Sequence, residues 1–140
     1  MNNPEGVIRK ERVSRLAVQN NRLQAICWWA AAILWMGLIF ALSASPSIAT
    51  PFEPVYDFSI KKIAHAIVYA ILTFLFFRSL RLHVTHRGTA LIAAAILAIM
   101  YAVSDEWHQT FVPGREGTLR DAGIDGLGTV GMSMWLAYHS

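Results

Sequence analysis

Apolar residues in this chain fall into four runs separated by short polar stretches. Ala25 to Leu42, Ile63 to Phe77, Gly88 to Val103 and Ala122 to Tyr138 hold almost no fixed charge, with His65 and Asp125 as the ionisable exceptions. A helix rises about 1.5 Å per residue and the hydrocarbon core of a bilayer is about 30 Å thick, so about 20 residues cross it. The first run spans unaided. The other three need their flanks, tilt or local thinning, which suits a compact bundle better than isolated helices. The pattern predicts an all-α polytopic membrane protein: a basic arm over residues 1–24, then four short transmembrane helices over residues 25–140.

Composition supports the membrane reading over a soluble helical core. Of 140 residues, 55% are hydrophobic and 15% charged, which leaves too little polar surface to cover four apolar helices in water. The first run is also too long, and its leader too extended, for a secretory signal peptide. The arm carries Val13, Leu16 and Leu23 roughly on one helical face. It reads either as an amphipathic segment on anionic lipid or as a disordered tail. Cys27 is the single cysteine, so an internal disulfide and a thiolate-rich metal site are both excluded. It stands beside Trp28 and Trp29, which read as an interfacial aromatic belt.

The net charge of +3 looks like a nucleic-acid signal only until the charges are placed. Arg9, Lys10, Arg12, Arg15, Arg22, Arg78, Arg81 and Arg87 fall on one side of the predicted spans, eight of the twelve basic residues. The positive-inside rule makes that side the cytoplasm, with both termini on it. Lys61, Lys62, Arg115 and Arg120 fall on the other side, with Glu53, Asp57, Asp105, Glu106, Glu116 and Asp121. Topology thus accounts for the basic excess, and no nucleic-acid partner is expected. Ser43 to Ser59 is expected to be an external loop kept non-helical by Pro46, Pro51 and Pro54, and Pro113-Gly114 reads as a turn.

Helical spacing then gathers the polar residues. Lys62, His65 and Tyr69 share a face of helix 2. If helix 3 continues past the membrane boundary, Tyr101, Asp105 and His108 share a face there. Asp121 and Asp125 share one on helix 4. In an up-down bundle these helix ends lie together, on the side that the charges make external. Burying Asp at a helix centre costs at least about 2.5–3.5 kcal/mol, so Asp125 and His65 should face the bundle interior and satisfy each other, Lys62 or Arg115. Structural readings stand beside this one. Thr118 and Asp121 resemble a capping box, Lys62 can snorkel, and Trp107 and Phe111 can anchor at the interface. Gly123, Gly126, Gly128 and Gly131 are expected to let helices approach closely, and His65 with Asp125 can be a purely structural pair.

Three chemistries fit these residue types. One is binding of a polar or anionic head group, with Arg115 and Lys62 as donors, His65 and Gln109 orienting, and the helix 4 N-terminus adding partial positive charge. Another is acid-base catalysis on a lipid-linked substrate, with His65 or His108 as base and Glu106 or Asp105 as partner. The last is a metal site from Asp105, Glu106, His108 and Asp125. Glu106-x-His108 matches no established zinc spacing, so no metal and no other cofactor is expected. No serine or cysteine sits in a nucleophile motif, which argues against covalent hydrolysis.

KxxHxxxY over Lys62 to Tyr69, DEWHQTFVPGR over Asp105 to Arg115 and DxxxDxxG over Asp121 to Gly128 resemble the VanZ-like family of bacterial membrane proteins. The resemblance runs from helix 2 to helix 4, and its central DExxQxFxPGR element is the specific part. It implies a bacterial membrane protein of the cell envelope, since the family's founding member is linked to teicoplanin resistance. Envelope lipids, a lipid-linked wall precursor or a lipophilic glycopeptide are the partners it suggests. The matched polar positions are Lys62, His65, Tyr69, Asp105, Glu106, His108, Gln109, Arg115, Asp121 and Asp125. Two positions depart from the family pattern. Lys61 stands where Asp is frequent, and Asp125 stands where Asn is frequent. One change removes a carboxylate near His65, and the other adds one deeper in the bundle.

Overall fold

A computed structural model describes residues 4–45, 54–113, 115 and 118–139. They form four helices and no strand: α1 (Pro4–Ala44), α2 (Pro54–Leu80), α3 (Arg87–Gln109) and α4 (Leu119–His139). The 41-residue α1 carries the basic arm and the first apolar run as one unbroken helix. From Val7 to Met36 it contains neither Gly nor Pro, so nothing in the backbone interrupts it. The change at residues 24–25 is one of polarity within a continuous helix, and Val13, Leu16 and Leu23 are exposed on its arm.

The loop after α1 is shorter than the expected Ser43 to Ser59. Helix α1 runs to Ala44, and α2 starts at Pro54. Proline is tolerated at a first turn because the missing N–H would have no intrahelical partner there. Pro46, Pro51, Gly114 and Glu116, on which other loop expectations rested, lie outside the described residues.

Three stretches are long and apolar enough to cross a membrane: Arg12–Ala44, Lys62–Leu80 and Arg87–Gln109. Helix α4 has the length but not the hydropathy, because four glycines, Thr129, Ser133 and Asp125 dilute its apolar residues. One side of it packs on α2 and α3, and the other exposes Leu127, Val130, Met134 and Trp135. Helices α2 and α3 touch each other and both flanking helices, while α1 and α4 do not meet among the described residues.

The interfaces explain this arrangement. Ala90, Ala94, Ala98 and Ala102 recur one per turn on α3 and are buried, so small side chains face the bundle and let it close. Across α2 and α4, the buried Thr73 and Thr129 hydroxyls are hydrogen-bonded at 3.2 Å. A Cβ added to Gly128 would fall 2.7 Å from the carbonyl carbon of Ala66 and 2.9 Å from its Cα. Only glycine fits that crossing. Gly123, Gly126 and Gly131 have nothing within 4 Å of an added Cβ, so the close-approach role expected of all four belongs to Gly128 alone.

At the end of the bundle away from the polar stripes, Trp28 and Trp29 pack on α2 as well as facing outward. Trp28 meets the Phe74 ring edge-on at 6.1 Å and lies under the Arg78 guanidinium at 4.8 Å, and Trp29 reaches His83. The Arg87 guanidinium donates to the Leu136 carbonyl, tying the start of α3 to the end of α4.

Candidate functional site

Each polar stripe lies near a helix end: the start of α2, the end of α3 and the start of α4. The fold brings these ends together. It divides the ten candidate residues into two adjoining groups, and the division differs from the one expected along α3.

The first group faces α1. Tyr101 Oη donates to the Met36 carbonyl at 2.6 Å, and the His108 ring packs on Phe40 with centroids 4.5 Å apart. Asp105 Oδ2 accepts from Ser43 Oγ at 2.7 Å and from Gln109 Nε2 at 3.0 Å. The Arg115 guanidinium closes this group over the end of α1. It donates to the Leu42 carbonyl at 2.8 Å, the Ser45 carbonyl at 2.9 Å and Gln109 Oε1 at 3.2 Å. A helix C-terminus leaves carbonyls without intrahelical partners, and a cation there also matches the helix dipole. Arg115 therefore caps α1, its guanidinium engaged by two backbone carbonyls and the Gln109 side chain. Ser43 was not anticipated from sequence. Its signal was a hydroxyl at the last turn of an apolar run, where a membrane helix places polar groups only against protein or water.

The second group lies between α2, α3 and α4. Lys62 Nζ meets Asp121 Oδ1 at 2.5 Å, both side chains being largely buried. One turn further along, His65 Nδ1 stands 3.2 Å from Asp125 Oδ1, with the Asp125 side chain only 1% exposed. Glu106 joins them from α3. One ligand atom from each of His65, Glu106 and Asp125 lies within 4.8 Å of the others. Neither Asp105 nor His108 belongs to this trio, so of the expected base–partner pairs the fold brings His65 together with Glu106, and of the four residues considered for a metal it gathers Glu106 and Asp125. The spacing of Tyr101, Asp105 and His108 was right as a shared face, but that face turns to α1. Glu106 projects from the neighbouring face, toward α4.

Glu106 also organises the start of α4. Thr118 Oγ1 accepts the Asp121 N–H at 3.2 Å, as in a capping box. The reciprocal bond is not made by Asp121. Glu106 Oε2 accepts the Thr118 N–H instead, at 3.0 Å. A residue of α3 thus completes the cap of α4, and the Asp121 carboxylate is free to meet Lys62.

The two groups meet at Tyr69, which is fully buried. Its ring lies 6.4 Å from that of Tyr101, and its hydroxyl interacts electrostatically with both Asp105 and Asp125. Lys62, His65 and Tyr69 descend α2 over seven residues, about 10 Å of helix, so the second group is a polar ladder running inward from the bundle end. Its members differ sharply in how well they are satisfied. Among the described residues, His65 Nδ1, Tyr69 Oη and both Asp125 oxygens are buried without a hydrogen bond of ordinary geometry; His65 and Asp125 meet only as an ion pair.

Trp107 and Phe111 stack edge-on at 5.5 Å and stay exposed, in keeping with interface anchors. Cys27 is an exposed free thiol far along the chain from either group.

Comparison with known proteins adds one match. A family model described as VanZ/LLP1 covers residues 28–138, from α1 to the end of α4. No curated protein and no solved structure matches the chain.

Proposed function

The chain belongs to the VanZ/LLP1 family, and from that premise we propose a bacterial envelope protein that recognises the polar head group of an envelope lipid or lipid-linked wall precursor. In this reading it resides in the cytoplasmic membrane with both termini inside, and the ladder of Lys62, His65 and Tyr69 opens at the outer interface. A lipophilic glycopeptide such as teicoplanin presents comparable polar groups on an apolar anchor, which gives a resistance role the same physical basis.

One observation carries the reading: a buried cluster in which Tyr69 Oη and Asp125 Oδ2 have no hydrogen bond of ordinary geometry among the described residues, and His65 and Asp125 Oδ1 meet only each other. Each unmade bond of this kind costs about 1–3 kcal/mol, so a purely structural cluster would be expected to satisfy them internally. Asp125 offers acceptors, and Tyr69 can both donate and accept. A hydroxyl- or amine-bearing head group complements that set. Arg115 caps α1, so recognition falls to Lys62, His65, Tyr69, Glu106, Asp121 and Asp125, with Asp105 and Gln109 as the wall behind them and His108 outside it.

A second reading rests on the His65–Asp125 contact of 3.2 Å. An imidazole oriented by a buried carboxylate is the arrangement that acid-base catalysis uses, with Glu106 as the second carboxyl. An enzyme acting on an envelope lipid would change the lipid profile between deletion and overexpression strains.

The deciding experiment is mass spectrometry of lipids co-purifying with the wild type and with His65→Ala and Asp125→Asn variants at equal expression. Selective loss of one lipid class from the variants is expected. Identical lipid content, with unchanged envelope and glycopeptide phenotypes, would sink the head-group reading.

A further inference from the structure

We propose that His65, Glu106 and Asp125 bind a divalent metal ion of the zinc class, placed at the inner end of the polar ladder. This deepens the head-group reading, because it rests on the same cluster being a site.

Charge supplies the first argument. Glu106, Asp121 and Asp125 bring three carboxylates together against Lys62 and His65. With Lys62 set against Asp121, the inner part holds two carboxylates and one imidazole between three helices. Such a set attracts a cation and repels the phosphate of a lipid head group. A divalent ion reverses that local field.

Geometry supplies the second. Zinc binds imidazole nitrogen and carboxylate oxygen at about 2.0–2.2 Å, so two ligands on a tetrahedron stand about 3.3 Å apart. His65 Nδ1 and Asp125 Oδ1 are already 3.2 Å apart. Glu106 completes a set within 4.8 Å, about 1.5 Å wider than the tetrahedral spacing, so binding draws the three ligands together by that amount. One imidazole with two carboxylates is a donor set suited to zinc or manganese.

Asp125 is 99% buried, its Oδ1 meets only the His65 nitrogen, and its Oδ2 has no hydrogen-bonding partner among the described residues. A buried carboxylate placed in this way is explained by a cation. Glu106 also has the support a ligand needs. Its Oε2 is held by the Thr118 N–H, so the side chain is oriented by the start of α4. Three protein ligands leave a fourth position open to a head-group oxygen, the arrangement of reactive rather than structural zinc sites.

The test uses the full-length protein in nanodiscs, stripped with a chelator and re-equilibrated with zinc, then with cobalt as a spectroscopic probe. One zinc per chain is expected, together with visible cobalt bands of a tetrahedral nitrogen–oxygen site. Glu106→Gln and Asp125→Asn should each weaken binding at least about 100-fold, since loss of mere supporting partners already costs 10–100-fold. Cys27→Ser, an exposed position outside both groups, should bind as the wild type does. Folding of every variant is checked by circular dichroism and by the retained tryptophan environment. Absence of stoichiometric zinc from folded wild type, or cobalt bands unchanged by Glu106→Gln, would overturn the proposal. Lipid co-purification is measured on the same samples. Lipid retained by a chain that binds no zinc overturns the metal alone; zinc bound with no selective lipid upholds the metal and overturns the head-group reading.

Discussion

Replacing Gly128 with alanine tests how the site is held together. The added Cβ would sit 2.7 Å from the Ala66 carbonyl carbon and closer still to its oxygen, where ordinary contact begins at 3.4 Å. Both partners are backbone, so no side chain can swing aside. Helices α2 and α4 must separate by about 1 Å or slide, and interior packing resists either. Overpacking of this kind costs about 1–3 kcal/mol, against which alanine recovers up to about 1 kcal/mol of helix propensity. The net expectation is a loss of between about 0 and 3 kcal/mol, toward the upper end because the clash is backbone on backbone. Gly131→Ala is the internal control. Nothing lies within 4 Å of its added Cβ, so only the propensity gain applies and stability should hold or rise slightly. The two glycines lie on the same helix, and their substitutions should have opposite signs. The consequence reaches the site, because Ala66 adjoins His65, and Asp125 lies one turn before Gly128. Separation there stretches the 3.2 Å contact toward the limit of an ion pair. Thermal unfolding in one detergent, followed by tryptophan fluorescence, measures the difference. If Gly128→Ala melts with or above Gly131→Ala, the crossing is looser than drawn and the reasoning fails.

Three further outcomes follow from the surrounding bonds. Arg115→Lys should destabilise the protein by about 1–3 kcal/mol in a denaturation series, because one ammonium cannot serve three acceptors set by a planar fork; a wild-type midpoint would argue against capping of α1. Thr118→Ala should cost about 0.5–2 kcal/mol and speed amide exchange at Asp121, and unchanged exchange would show that the hydroxyl does not cap α4. A periplasmic reporter fused after Gly117 should be active and a cytoplasmic one silent, and the reverse result would invert the proposed orientation.

Much of the architecture was legible because membrane burial writes itself into hydropathy. Charge-free runs located the helices, and helical spacing placed Lys62 with Tyr69 and Asp121 with Asp125. What spacing could not do was aim the stripes. It gives the angle between residues of one helix but no rotation of one helix against another. Tyr101, Asp105 and His108 therefore shared a face as expected, yet turned to α1, while Glu106 turned to the interior of α2 and α4. The glycines failed for a similar reason. All four are equally small in sequence, but only the one at the crossing point meets a backbone, and crossing points are set by tertiary packing. The extent of α1 was missed because the arm is polar, and polarity says nothing against a helix that no Gly or Pro interrupts.

The contrast between the two adjoining groups decides which one is the site. Ser43, Asp105, Gln109 and Arg115 form a hydrogen-bonded chain, and among the described residues the unmatched buried atoms of their group are Asp105 Oδ1 and His108 Nδ1. A bonded network of this kind fixes a structure, and here it fastens the end of α1 to α3. His65, Tyr69 and Asp125 are as deeply placed but poorly matched, and the low dielectric that strengthens the first group penalises the second. Nothing about α4 requires a carboxylate at position 125, since Asn would be cheaper to bury and equally able to hydrogen-bond. The extra charge has a physical rationale only if something positive meets it. His65 can meet it when protonated, and a divalent ion shared with Glu106 meets it more completely. Asp125→Asn therefore separates the alternatives. In a structural pair it should leave stability near the wild-type value, whereas in a cation site it should abolish stoichiometric metal binding while the Arg115 network and the fold persist.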